Sequence, residues 1–230
     1  GNESCLPTFN TRSITSLLYR IPGLAERLIF LNDEFILIPP GQPQDFFRES
    51  NIVLRGKWHL MLWDRLMALS GNDETAEAGN GKDLRAKYLI SQKLAARLAG
   101  FRNRYFQLRH DPHPMQVSAL NRFFTGAPEL LAKNIRYKLR SRSQFTVESL
   151  AAHLALHDGS AVIDNNLDTL QVKPASQGRL RIKLKLKAAD RNRAMAFVCV
   201  QSMDRASPRV RDMVFSWLLK RIGTLDNPAE

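Results

Sequence analysis

Cysteine is nearly missing from this chain. Cys5 and Cys199 are the only two among 230 residues. One pair cannot make a disulfide framework, so the fold must rest on its apolar core, and two unpaired thiols point to a reducing, cytoplasmic compartment. No apolar run approaches the ~20 residues of a membrane helix, and no signal-peptide pattern is present, so no membrane partner is expected. The chain opens Gly1-Asn2-Glu3-Ser4 without methionine, which leaves room for a removed leader or an upstream domain. There is no G-x-S-x-G, no P-loop and no G-x-G-x-x-G, and no repeat or heptad array. Without these, the chain is read as non-catalytic, with neither cofactor nor metal expected.

What is there is charge, unevenly placed. Residues 1–80 are net −3, 81–143 net +11, 144–170 net −4 and 171–230 net +8, within a total of +12. Apolar residues are 44%, ordinary globular usage. Two basic blocks around an acidic one imply a polarised surface that meets a polyanion.

Leu28 to Leu31 and Phe35 to Ile38 are apolar runs around Asn32-Asp33-Glu34, which reads as a hairpin. From Ile52 to Leu69 the helical spacing of Trp58, Met61, Leu62, Leu66 and Leu69 predicts an amphipathic helix. The polar stretch from Ser70 to Lys82 predicts a loop or linker. Asp83 is the expected N-cap of a helix reaching Leu108, stopped by His110 to Pro114. A short helix at 115–124 and one from Pro128 to Arg140 follow. Arg179 to Lys187 alternates cation and aliphatic strictly, which predicts a strand with one cationic face. Ala194 to Gln201 reads as a central strand. Ser207 and Pro208 start a last helix with Gly223 as its C-cap. The expected organisation is an N-terminal hairpin and helix (1–70), a linker (71–82), a basic α+β domain (83–224) and a tail (225–230). The fold class is α+β: amphipathic helices on a small antiparallel sheet, with a winged-helix or small β-barrel arrangement for the C-terminal half.

Lys133, Arg136, Tyr137 and Arg140 fall at i, i+3, i+4 and i+7 of the expected helix, with Arg142 beside them. Arginine makes bidentate bonds to phosphate. Arg179, Arg181, Lys183, Lys185 and Lys187 would stand ~6.8 Å apart on the strand face. Together they predict a nucleic-acid-binding regulator or accessory factor that grips DNA or RNA by its phosphates, with strong salt dependence and weak sequence choice. Phe101 to Arg109 interleaves aromatics with arginines, a pattern that serves base stacking or simply core.

Three resemblances bear on this region. Thr146 to Ala155 resembles the second helix of a winged helix-turn-helix, which implies a third helix over 161–172 and the cationic strand as wing. That third helix would carry Asp164 and Asp168 and no Lys or Arg before Lys173, so contact would come from the wing and the preceding basic helix. His157-Asp158-Gly159 is alternatively a hairpin signal. Residues 136–222 then resemble a PilZ domain, a cyclic-di-GMP-binding β-barrel: Arg136 and Arg140 match its Arg-x-x-x-Arg, while the second motif is met only at Asp164, with Asn166 and Thr169 departing. Asp164 with Gln171 and Lys173 resembles the signature of metal-dependent nucleases, in which carboxylates hold Mg²⁺. His153 and His157, four apart, share the spacing of paired metal ligands, as do His110 and His113, three apart.

Overall fold

The computed structural model describes residues 3–39, 41–61 and 81–223, with residues 81–87 as backbone only. It is an α+β fold built of small sheets and seven helices among the described residues.

The first strands are β1 (Arg27–Phe30) and β2 (Phe35–Leu37), where expected. They do not form a hairpin. β1 pairs antiparallel with β7 (His113–Gln116), and β2 with β10 (Met195–Val200). The four residues Leu31 to Glu34 therefore carry the chain from one sheet to another. The helix expected from Ile52 is also replaced. Residues 51–60 form β4 (Asn51–Leu54) and β5 (Gly56–Leu60), preceded by β3 (Phe47–Arg48). Ile52, Val53 and Leu54 are all buried, because β4 lies between β3 and the parallel β8 (Ala161–Ile163) and has no wet face to show a period of two. Leu62, Leu66, Leu69 and the expected linker through Asn80 lie outside the described residues, as does the tail.

The next helix spans Gly81–Leu98 and ends ten residues before Leu108; Arg104–Leu108 is instead β6, antiparallel to β5. Gly100, at φ +95°, makes the turn between them. Helices then follow at Val117–Gly126, Pro128–Ile135 and Val147–Asp158. With the short Thr11–Thr15 helix as α1, these are α2 to α5.

α5 matches the second helix of the winged-helix resemblance, but the arrangement stops there. Residues 161–172 hold β8 and β9 (Asp168–Val172) rather than a third helix. No closed barrel is formed among the described residues. The wing is a helix, α6 (Arg179–Arg191). Its buried residues are Ile182, Leu186 and Ala189, a helical stripe seated on a cluster with Val172, Val198 and Val200. β9 and β10 are parallel, and a parallel pair needs a crossover of a dozen residues or more. α6 is that crossover. The last helix, α7 (Pro208–Ile222), seats Val210, Val214, Trp217 and Leu218 on the same cluster, with Gly223 at φ +74° after it.

Candidate active site

The unit β9–α6–β10 sets an edge. Parallel strands of an α/β unit bind ligands outside their carboxyl ends, where the following helices begin and offer free amides and a positive dipole end. The carboxyl ends here are Val172 and Val200, tied by the bond from Gln201 N–H to Val172 O (2.9 Å). Lys173 follows β9 directly, and α6 starts after the next short turn.

Glu34 arrives at this edge from the other side of the sheet. The register of β2 on β10 pairs Phe35 with Cys199, and Val200 N–H donates to Glu34 O at 2.9 Å. The Glu34 carboxylate accepts from Gln201 Nε2 at 3.1 Å and from the Cys199 thiol at 3.9 Å. His110, in the link between β6 and β7, packs edge-on against Phe35, ring centroids 5.0 Å apart. Ligand atoms of Glu34, His110 and Cys199 lie within 4.8 Å of one another. A carboxylate, an imidazole and a thiol at that separation can hold a divalent cation.

The electrostatics differ from group to group. Burial lowers the His110 pKa against the pull of Glu34 and Asp111, so its imidazole is neutral at neutral pH and carries a free lone pair. Burial and the neighbouring Glu34 push the Cys199 thiol up to about 12, so it stays protonated unless a metal displaces the proton. Asp111 is buried, its pKa raised by desolvation. It accepts from the Thr169 hydroxyl and pairs with Arg109 Nε at 3.1 Å. Arg109 also donates to Leu167 O at 3.0 Å and so ties the His110 loop to the start of β9. Arg55 is buried over Phe197 (5.1 Å), with Asp111 among the charges acting on it.

None of the expected binding residues belongs to this constellation. Lys133 is exposed on α4, but that helix ends at Ile135, so Arg136, Tyr137, Arg140 and Arg142 do not share a helix face. The carbonyls of 137–139 are taken by the N-terminal segment instead. Asn10 Nδ2 donates to Tyr137 O (3.1 Å) and Leu139 O (2.8 Å), and Phe9 N–H to Lys138 O (3.2 Å). Arg136 stacks on Tyr137, and Arg140 bonds Thr11 Oγ1 at 3.0 Å. Arg179, Arg181, Lys183, Lys185 and Lys187 stand around a helix rather than along a strand. Lys185 Nζ reaches Gln171 O at 2.6 Å. The two basic stretches attach to different hydrophobic clusters. Of the other candidates, Asp164 is paired with Arg48. The Phe101–Arg109 aromatics are internal, with Arg104 stacked on Trp58 at 4.3 Å. His153 uses both ring nitrogens inside the core.

Sequence reasoning missed Glu34 and Cys199 and weighed His110 only beside His113. The pairing of β2 with β10 joins residues 34 and 199, and the link between β6 and β7 brings in residue 110, so no spacing could bring them together. The local signals were an acidic Asp33-Glu34 between two apolar runs and a His-Asp pair amid prolines.

No family model matches the chain. It is similar to exopolysaccharide phosphotransferase CpsY of Mycobacterium tuberculosis, 27% identical over 213 residues, 91% of this chain and 37% of that protein. It is also similar to capsular polysaccharide phosphotransferase SacB of Neisseria meningitidis serogroup A, 28% identical over 164 residues, 70% of this chain and 28% of that protein. A shorter stretch of 50 residues is 46% identical to capsular polysaccharide phosphotransferase WcwK of Streptococcus pneumoniae, covering 22% of this chain and 15% of that protein. The chain thus spans well under half the length of these relatives. Their names overturn the expectation of a non-catalytic regulator with DNA or RNA as partner, because all three are named as enzymes and their substrates as polysaccharides. Clustered cations imply an anion; they do not say which one.

Proposed function

We propose that this chain carries the reaction centre of a phosphotransferase that moves a phosphate-linked group onto a saccharide hydroxyl. The observation that carries the reading is the meeting of Glu34, His110 and Cys199 at the carboxyl ends of β9 and β10, in a chain whose relatives are named polysaccharide phosphotransferases. From a nucleoside diphosphate sugar, such a transfer joins the acceptor oxygen to the sugar-side phosphorus as the phosphoanhydride bond breaks and a nucleoside monophosphate leaves, so it needs a base for the acceptor proton and positive potential for the phosphate oxygens. Neutral His110 is the base in this reading. Lys173 and the start of α6 face the anion, and Glu34, held by Gln201, orients His110, whose lone pair stays free for the proton. A divalent cation at this place would neutralise phosphate charge as it develops.

The test uses the purified protein with nucleoside diphosphate sugars labelled in the phosphate next to the sugar, and oligosaccharide acceptors, with and without a chelator. Label should appear in the acceptor. His110→Ala and Glu34→Gln should each lower the rate at least about 100-fold with the circular dichroism spectrum retained. Transfer that proceeds equally in both variants would rule out this site, and no transfer from any donor would rule out the reading.

A further inference from the structure

α6 has a second face that the fold leaves unused. Ile182, Leu186 and Ala189 point to the core; the opposite side carries Leu180 and Leu184, one turn apart, 71% and 58% exposed. Arg179, Arg181, Lys183, Lys187 and Arg191 surround them, all exposed. Among the described residues none of these five cations makes an ion pair. The single acid of the helix, Asp190, is taken by Trp217 Nε1 (2.8 Å) and Arg221 (3.1 Å). The helix is thus apolar at its outer crest and cationic on both flanks. Solubility does not ask for two bare leucines there, and neither belongs to the cluster that seats α6.

We propose that this face docks on an anionic lipid bilayer. Leu180 and Leu184 enter the boundary between headgroups and acyl chains, and the five cations meet the anionic headgroups. That is how an interfacial amphipathic helix binds. Two leucines are too narrow for a stable protein interface, which buries on the order of 1,000 Å² or more. A bilayer needs only shallow insertion plus charge. Among the described residues no helix is long and apolar enough to cross a membrane, and docking of this kind needs none. Because α6 begins at the carboxyl edge of β9, docking holds the candidate active site near the membrane surface. The inference stands on α6 alone and does not depend on the reaction proposed above.

Co-sedimentation of the protein with vesicles tests it, using phosphatidylcholine alone and phosphatidylcholine with about 30 mol% phosphatidylglycerol, near 0.1 M salt. Binding is expected only to the anionic vesicles. Each cation at the surface contributes about fivefold, so Lys183→Glu with Lys187→Glu should weaken binding at least about 25-fold. Leu180→Ser with Leu184→Ser should weaken it about tenfold. All four positions are exposed, so both variants should keep the wild-type melting temperature. Equal binding to neutral vesicles, binding unchanged in either variant, or no vesicle binding alongside self-association lost in the leucine variant (a second copy as occupant) would each overturn the proposal.

Discussion

His153 is fully buried in α5 with both ring nitrogens engaged. Nδ1 donates to Ser149 O at 2.6 Å, and Nε2 accepts from Phe106 N–H at 2.9 Å. This fixes the neutral tautomer, and burial lowers the pKa to about 4. An imidazole that pays desolvation for its charge stabilises the fold only while uncharged. In the unfolded chain it titrates near 6.5. Its contribution is therefore complete above that pH and is lost as pH falls toward 4, at up to about 1.4 kcal/mol per pH unit. His153→Ala should cost about 2–4 kcal/mol at pH 7.5, from a cavity and an orphaned amide, and visibly less at pH 5. Urea midpoints of both proteins at the two pH values check this; a difference independent of pH would contradict it. The i, i+4 spacing with His157 was visible beforehand, but whether the ring faces a metal or a strand amide depends on where β6 lies, and no local pattern says so.

At the scale of elements, α6 is the instructive case. Arg179 to Lys187 alternates as strictly as any strand, yet it folds as a helix. Leu, Lys and Arg are strong helix formers, and Ile182 is the single β-branched residue in the run. Propensity was the better guide there, and the parallel pairing of β9 with β10 makes it decisive. The opposite error befell residues 51–60, where the helical spacing of Trp58 and Met61 was coincidental. Gly56 marks that segment as strand. A Cβ there would come 2.3 Å from Gln107 O and 2.8 Å from the Phe106 ring, and Asn165 bonds the Gly56 backbone at both N–H (2.9 Å) and C=O (3.1 Å). Gly56→Ala should destabilise the protein by at least about 2 kcal/mol, read as a lowered urea midpoint. A midpoint within error of wild type would mean that β5 and β6 do not approach as described.

In the whole molecule, the strands of residues 27–60 find their partners far along the chain: β1 with β7, β2 with β10, β4 with β8 and β5 with β6. Only β3 pairs within that stretch, with β4. A two-stranded pair left without its partners has little apolar surface to bury. Residues 1–70 expressed alone should therefore give no cooperative thermal transition by circular dichroism, whereas a sigmoidal melt would show that they fold as a unit. The same long-range pairings build the candidate site, since β2 on β10 joins Glu34 to Cys199 and the link from β6 to β7, paired with β5 and β1, carries His110.

By itself the sequence left α5 open between helix and hairpin, but it determined the α+β class, the last strand and helix, the strands at 27–37 and the two stores of positive charge. All of these follow from local apolar period, capping residues and composition. Only the tertiary structure decided which strands pair, that the cationic run is a crossover helix and that Glu34, His110 and Cys199 share one edge. Pairing partners are chosen by burial across the whole chain, and nothing within a few residues of Glu34 encodes the position of a cysteine 165 residues away.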